Sequence, residues 1–393
     1  MATLIRVTGN FDLAEEAVQE AFVVALERWP GEGLPSNPGA WITQVARNAA
    51  IDRIRREGVL RDKVAVLEHL EALHAEPVAQ PGERLGEIED DRLRLIFTCC
   101  HPALAIEARV ALTLRSLGSL STPEIARALL SSESATAQRI VRAKRKIAAN
   151  KIPYEVPVAE QMPERLPAVL ATLYLIFNEG YLASSSEALV RTELSGEAIR
   201  LARALVTMLP REPEAGGLLA LMLLTDSRRA ARIDAAGDLV LLEDQDRSLW
   251  DREQIDEGLE LSRAAAAGGP GGPYTVQARI AAVHAEATSA AETDWPRIAR
   301  LYAWLAEVAP GPVVELNRAV AVAMCEGPQR GLDLVEAIEG LDDYLLLHTA
   351  RADLLRRLDR PREAAEAYRR ALELEPNPGE RRFIERRLAQ TSE

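Results

Sequence analysis

The feature that most constrains this sequence is the return of apolar residues at helical spacing in segment after segment along the chain. In residues 11–29, apolar side chains between Leu13 and Leu26 share one face, and acids occupy the other. Alanine and leucine, both strong helix formers, recur throughout, whereas alternating runs of β-branched residues do not occur. The sequence therefore predicts an all-α fold.

Length and charge divide the chain. Because 393 residues exceed what one hydrophobic core usually serves, we expect two or three domains. The net charge of −13 lies after residue 152, since residues 1–152 carry 20 basic and 20 acidic side chains. An acidic chain normally argues against a nucleic-acid partner. Because the first part of this chain is neutral and its charges are clustered, nucleic acid stays a candidate partner.

The sequence also indicates a cytoplasmic protein without a membrane partner. It contains no run of about 18 uncharged apolar residues, which a membrane-spanning helix needs. Residues 1–12 lack the basic start and apolar run of a secretory signal. Three cysteines in this length do not make a disulfide framework.

The strongest functional pattern is a helix-turn-helix at 119–147. Residues 121–130 predict a short helix capped by Ser121 or Thr122, residues 131–134 a turn, and the residues that follow a basic helix. Such a helix fits the DNA major groove; the alternative is a solvated basic helix on a bundle. The residues predicted to meet base edges are Ser134, Thr136, Ala137 and Gln138, and those predicted to meet phosphates are Arg139, Arg142, Lys144, Arg145 and Lys146.

Two further helices have opposite charge. Residues 11–29 are acidic on the exposed face, and we expect Pro30 and Gly31 to end that helix. Residues 38–56, with Ser36–Asn37 as the cap, carry four arginines and Trp41. Basic residues beside an aromatic ring suit unpaired bases, although each charge run alone is typical of a solvated face.

We find no pattern that indicates catalysis, a cofactor or a bound metal. Cys99 and Cys100 are adjacent, so on a helix they point about 100° apart and lack C-x2-C spacing. We interpret them as small buried apolar residues. An enzyme site between residues 160 and 290, around Glu179 and Tyr181, remains an alternative, which requires a pocket with convergent carboxylates.

The end of the chain is periodic. Tyr302 and Tyr368 are 66 residues apart, as are two prolines, and such spacing indicates helix–turn–helix repeats of 33–34 residues. The last repeat is the clearest and matches a tetratricopeptide (TPR) unit at Ala352, Leu355, Ala364, Tyr368, Ala371 and Pro376.

The order of these segments resembles the extracytoplasmic-function (ECF) sigma factors of the sigma-70 family. DLAEEAVQEAFVVALERW is similar to the helix of sigma region 2 that binds core RNA polymerase, and NPGAWITQVARNAAIDRIRR to its −10 promoter segment. LSTPEIARALLSSESATAQRIVRAKRKI is similar to region 4, which reads the −35 element. LYLIFNEGY, LLEDQDRSLWD, VVELNRAVAVAM and the TPR-like end resemble the subgroup with a C-terminal TPR-like extension.

The resemblance implies an alternative sigma factor that binds core RNA polymerase and promoter DNA and has no enzymatic activity. The residues it assigns to polymerase binding are Asp12, Glu15, Glu16, Gln19 and Glu20, and those it assigns to the −10 DNA are Asn37, Trp41, Arg47, Asn48, Asp52, Arg53, Arg55 and Arg56. The alternative is a one-component helix-turn-helix regulator with a TPR-like sensor, which would bind duplex DNA alone.

The resemblance also divides the chain. The predicted segments are region 2 at 1–57 (short at its N-terminal end), a linker at 58–90, region 4 at 91–152, a helical extension at 153–290 and TPR-like repeats at 291–393. The linker acids Glu83, Glu87, Glu89 and Asp90 would mimic nucleic acid in the polymerase channel. The extension would regulate the sigma domains through an intramolecular contact. Ser131 and Ser132 stand where the family has an apolar residue and a proline in the turn.

Overall fold

The computed structural model describes residues 1–56, 91–117, 120–129, 131–150, 152, 161–182, 188–234, 238–269, 271–374, 376 and 378–391. The predicted linker, with its four named acids, lies outside these ranges. The described chain is all-α, as predicted, and the strand-type pairing within it is one isolated bridge between Ile233 and Leu239. It forms two compact units, Met1–Leu175 and Ile176–Glu393. None of the described helices has the length and apolar character needed to span a bilayer.

The first unit contains seven helices within the described ranges and the start of an eighth. Their bounds are α1 Ala2–Thr8, α2 Phe11–Glu32, α3 Pro38–Arg56, α4 Asp91–Cys99, α5 Ile106–Ser116, α6 Thr122–Ala128, α7 Glu133–Ala149 and α8 Met162–Leu182. Helix α2 packs along α3, α1 packs against both α2 and α4, and α5 packs against α7.

The ends of α2 are set by local hydrogen bonds. The Asn10 side chain accepts from the backbone N–H groups of Asp12 and Leu13, which caps the helix. The prediction that Pro30 and Gly31 end the helix is wrong, because α2 continues to Gly33, whose φ of 83° stops it. In the last turn, proline removes one backbone donor at an exposed end, so the helix tolerates it.

Burial along α2 follows its alanines. Ala14, Ala17, Ala21 and Ala25 are buried, whereas Leu26 is 77% exposed. The prediction that Leu26 points inward is therefore wrong. The small side chains on the buried face let α3 approach closely.

The predicted helix-turn-helix is present as α6 and α7. Ser121 caps α6 in a capping box, in which its backbone N–H donates to the Glu124 carboxylate at 2.7 Å. Ser132 caps α7 by accepting from the backbone N–H of Ala135. The second helix thus begins at Glu133, earlier than the sequence predicts, because Ser132 serves as the cap.

Helix α8 is tied to the region 4 segment at its N-terminal end. Arg165 is buried and donates to the backbone carbonyl of Phe97 at 3.3 Å. Arg109 donates to the carbonyl of Glu164 at the same distance. Residues beyond 152 are therefore part of the first unit.

The second unit is also helical. Its helices after α8 are α9 Ala188–Met208, α10 Pro213–Asp226, α11 Arg252–Ala266, α12 Pro273–Glu286, α13 Trp295–Val308, α14 Pro312–Glu326, α15 Pro328–Glu336, α16 Leu345–Arg357, α17 Pro361–Glu373 and α18 Pro378–Gln390. Helix α10 is apolar on all sides and lies in the core against α11 and α12. From α13 onward each helix packs on the next, as in a repeat protein.

The TPR positions predicted from spacing form the core of this stack. The small residues Ala352, Ala364 and Ala371 are fully buried, and Tyr368 fills the gap between helices with 1% of its surface exposed. The prediction of a TPR-like end is confirmed. Helix α18, whose Ile384 packs on this core, follows the last helix predicted from the sequence.

Candidate nucleic-acid interface

Helix α7 presents a polar face suited to a DNA groove. Ile140, Ala143 and Ile147 are buried at helical spacing and hold the helix against α5 and α6. The opposite face is exposed. It includes Ser134, Ala137 and Gln138 near the start of the helix and Arg142, Arg145 and Lys146 further along. Small or polar groups near the helix start, with basic groups beyond them, match the geometry of a recognition helix.

Three predicted residues of α7 are placed differently. Thr136 is fully buried, so its hydroxyl has no exposed surface with which to contact a base, and we remove it from the predicted set. Arg139 is half-buried and donates to the Ser131 hydroxyl at 2.8 Å, which fixes it across the turn. Lys144 is directed toward α2.

Lys144 joins the region 4 segment to the acidic helix. Its Nζ donates to the carboxylates of Asp12 at 2.8 Å and Glu15 at 2.9 Å. Arg115, near the end of α5, reaches Glu15 at 3.2 Å. The Lys144 side chain is 15% exposed and that of Glu15 is 27% exposed, whereas Asp12 is 71% exposed. The contact with Glu15 is therefore the more shielded of the two.

The pKa values of these groups reflect their pairing. Burial by itself raises the pKa of Glu15, but the hydrogen bond and charge of Lys144, with those of Arg115, outweigh it and lower that pKa below its ordinary value. Burial likewise lowers the pKa of Lys144, and the hydrogen bonds and charges of Asp12 and Glu15 outweigh it and raise that pKa. Both groups are charged at neutral pH.

The remaining polymerase-binding candidates lie on the outer face of α2. Glu16 pairs with Arg53 of α3 at 2.8 Å, and both side chains are about half exposed. Gln19 and Glu20 are exposed. The five predicted residues therefore share one helix, and Asp12 and Glu15 form ion pairs with α7.

Helix α3 places the predicted −10 residues along one side of region 2. The Asn37 side chain caps the helix by accepting from the backbone N–H of Ala40 at 3.0 Å. The ring of Trp41 packs on Trp29, with centroids 5.4 Å apart. Asn48 accepts from Gln44 at 3.1 Å.

The other members of the predicted −10 set differ in exposure. Asp52 is exposed, and Arg47 and Arg53 are half-buried. The side chains of Arg55 and Arg56 lie outside the described residues.

Arg115 joins Lys144, Asp12 and Glu15 in one charged cluster. No sequence motif marks Arg115, and only its place in the last turn of α5 identifies it.

Cys99, Cys100 and Tyr181 take part in packing. Cys99 and Cys100 are fully buried, and burial raises the pKa of Cys100 to about 12, so the thiols are protonated. The described residues contain no group of three or more side chains placed to hold a metal ion. Phe177 stacks on Tyr181 at 5.6 Å, and the Arg232 guanidinium lies over the ring of Tyr181. These contacts hold Tyr181 in place by packing.

Comparison with known proteins matches four segments of the chain to protein families. Sigma-70 region 2 matches residues 1–59, sigma-70 region 4 matches 94–147, and a tetratricopeptide repeat matches 346–378. A family of unknown function, DUF6596, matches 165–266. A relative from Rhizobium meliloti (strain 1021), described as an uncharacterized protein, is 46% identical over 99% of this chain and 92% of its own length.

The sigma domains give the chain a role in promoter recognition, and families with these domains are DNA-binding regulators. Region 2 comes first, region 4 follows it, and a TPR repeat lies near the end of the chain, which is the order of domains in one subgroup of sigma factors. The chain belongs to the ECF sigma factors of the sigma-70 family, in the subgroup with a C-terminal TPR-like extension.

Proposed function

We propose that this protein binds core RNA polymerase through the acidic face of α2, contacts −10 and −35 promoter DNA through α3 and α7, and directs transcription initiation. The observation that supports this most strongly is the exposed face of α7, which combines polar groups near the helix start with three basic side chains. The same chain carries a separate acidic face on α2 for a protein partner.

We further propose that the described arrangement is a closed form. The names of the two promoter elements place them 25 base pairs apart, which is about 85 Å of duplex at about 3.4 Å per base pair. Yet Lys144 of α7 and Asp12 of α2 are only 2.8 Å apart. Both regions therefore cannot occupy their elements until they separate. The 34 residues of 57–90 can span roughly 110 Å when extended, which is enough.

Opening would release residues of both functional sets together. The ion pairs of Lys144 occupy two of the five predicted polymerase-binding residues and one of the predicted phosphate contacts. A partner that binds only the open form shifts the population toward it. Core polymerase and promoter DNA would each favour opening.

Run-off transcription with core polymerase, with and without this protein, tests the function directly. Glu20→Lys should abolish both co-purification with core polymerase and transcription, because it reverses an exposed charge of the predicted contact. Glu27→Lys, a matched reversal on the same helix outside the predicted set, should leave both intact. Equal core binding by the two variants would contradict the proposed interface.

The C-terminal extension is proposed to regulate the sigma domains. A deletion that tests this should cut after residue 182, because a cut after 159 removes the contacts that Arg165 and Glu164 make with Phe97 and Arg109 inside the first unit. The 1–182 fragment is expected to melt at a higher temperature than 1–159. If 1–182 transcribes in the same way as the full chain, the regulatory role is wrong.

A further inference from the structure

A strap of residues 238–250 crosses the helical stack of the second unit. It is extended apart from two short turns at 242–244 and 247–249, and it lies between α10 and α11 in the sequence. It includes most of the LLEDQDRSLWD motif, to which the sigma function assigns no task.

Side-chain contacts hold the strap at three places. Near its start, Asp238 pairs with Arg382 and Arg386 of α18. In its middle, Glu243 lies 4.0 Å from Arg357 of α16. The final anchor is Arg247, which donates to the backbone carbonyls at the end of α12 and after it, those of His284 and Ala287, at 2.8 and 2.5 Å. The strap is thus fixed to helices that are distant from one another in the sequence.

A cavity of about 710 Å³ lies between the strap and the stack. Its walls come from the strap, from the segment 290–295, and from α12, α14, α16, α17 and α18. Most of the lining is apolar, and it includes Leu242 of the strap and Val320, Met324, Leu346 and Phe383 of the helices. Small-molecule sites typically have volumes of roughly 300–1,000 Å³ and apolar walls with a few polar groups.

The charged groups in the lining already have partners. Arg357 donates to Asp353 at 2.7 Å and lies beside Glu243. The Arg247 guanidinium is bound to the two carbonyls and covers the Trp250 ring at 4.5 Å. Glu243 and Asp353 balance the formal charge of Arg247 and Arg357, so a charged ligand would enter without a net counter-charge from these groups, which is costly in an apolar site. An uncharged ligand avoids that cost.

His284 supplies a polar group in this wall. Its Nδ1 is buried and has no hydrogen-bond partner in the part of the chain that the structure describes, while its ring packs edge-on against Trp295 at 5.3 Å. Burial, and then the charges of Arg228 and Arg247, lower its pKa to about 4, so the imidazole is neutral at pH 7. One wall therefore contains a neutral imidazole beside an aromatic ring, and a ligand donor that reached Nδ1 would satisfy a buried nitrogen that the described residues leave without a partner.

We propose that this cavity binds an uncharged, mainly apolar small molecule that carries one hydrogen-bonding group. An extended peptide fits less well, because the strap itself crosses the helical face that such a peptide would occupy. The proposal goes beyond the sigma function and does not depend on it.

Binding of the uncharged dye Nile red to the full-length protein tests the site. We expect saturable binding by one dye per chain, weakened about tenfold by Val320→Trp, which fills the cavity from α14. Val308→Trp is the matched control, since Val308 is exposed on α13 and does not line the cavity, and it should bind like the wild type. Circular dichroism and melting temperature establish that each variant is folded.

Leu346→Gln provides a second variant if Val320→Trp does not fold. Leu346 lines the cavity but is 49% exposed, so its replacement should preserve the fold while weakening dye binding roughly threefold or more. Non-saturable binding, or equal affinity in the folded cavity variants and the control, would overturn the proposal.

Displacement of the dye tests the ligand class. Octan-1-ol should displace Nile red at a concentration about tenfold or more below that needed for octanoate or octylammonium, which have the same chain length but carry a charge. Equal displacement by the three compounds would refute the preference for an uncharged ligand. Displacement by an extended apolar peptide, but not by octan-1-ol, would assign the groove to a peptide and overturn the proposal.

Discussion

If Lys144 holds region 2 and region 4 together, removing its charge should strengthen binding to core polymerase. Lys144→Gln removes two ion pairs. The partly buried pair with Glu15 contributes about 1 kcal/mol, and the pair with the exposed Asp12 contributes about 0.3 kcal/mol. Because about 1.4 kcal/mol corresponds to tenfold in an equilibrium, the ratio of open to closed protein should rise roughly eightfold.

The apparent affinity for core polymerase reports this shift. If only the open form binds, the apparent dissociation constant is the intrinsic constant divided by the open fraction, so while the closed form dominates it should fall by the same factor of about eight. Fluorescence titration of labelled protein with core polymerase, without DNA, measures it. An increase in core affinity would point to the closed contact, since Lys144 belongs to the predicted DNA-binding helix and not to the polymerase-binding face.

Two matched substitutions isolate the contact. Lys146→Gln removes the same charge from an exposed position on the same helix and should leave core binding unchanged. Lys144→Arg keeps the charge and should retain most of the closed form. The reasoning is refuted if Lys144→Gln binds core polymerase as the wild type does, or more weakly.

The pH dependence follows from the same contact. The pKa of Glu15 is lowered from its ordinary 4.5, so the stability it contributes is fully present above about 4.5 and is lost as pH falls through the folded pKa. The pKa of Lys144 is raised from 10.5, so its contribution is present below that value and is lost at higher pH, as the folded pKa is passed. Between about pH 5 and 10, the stability difference between wild type and Glu15→Gln should therefore stay constant, and it should shrink below pH 4.5.

Two further predictions concern packing and DNA. Gly331→Ala should lower stability by about 1–3 kcal/mol, because the added Cβ would lie 2.4 Å from the Cβ of Ala323, whereas Gly196→Ala, with open space around it, should raise stability by up to about 1 kcal/mol; melting temperatures compare them. Arg142→Ala should weaken −35 duplex binding by about 1–3 kcal/mol if Arg142 contacts a base, or reduce the salt slope by about 1 if it contacts phosphate. Anisotropy titrations of the polymerase complex at several salt concentrations distinguish these outcomes, and an unchanged affinity and slope would exclude either contact.

Local patterns in the sequence predict the helices well. The caps at Asn37 and Ser121, the helix-turn-helix and the TPR positions around Tyr368 all depend on residues near one another in the chain. Errors arise where a local signal is weak or competes with another. Pro30 is tolerated in a last turn, and α18 follows a proline-rich segment that reads as the end of a repeat.

The candidate site is harder to predict because its contacts join distant segments. Lys144 and Asp12 are 132 residues apart, and nothing in either local pattern indicates that they meet. Burial of Thr136 is likewise set by packing and not by its polar character. The strap contacts of Arg247 and Asp238 depend on helices that follow much later in the chain. Their polar character predicts that these side chains are exposed to solvent, whereas the tertiary structure buries them or pairs them with distant residues.

The charges of the closed contact suggest why a sigma factor would keep it weak. Three of the four participating side chains belong to sets that must bind another molecule, since Asp12 and Glu15 face polymerase and Lys144 faces DNA in the proposed function. A strongly buried pair would hold them closed, because separating it leaves costly unpaired charges. An exposed carboxylate at Asp12 and a partly shielded one at Glu15 give a contact of about 1 kcal/mol, which is small beside typical binding free energies. Polymerase can therefore open the protein at modest cost to its own affinity, while in the free chain Lys144 stays paired with Asp12 and Glu15.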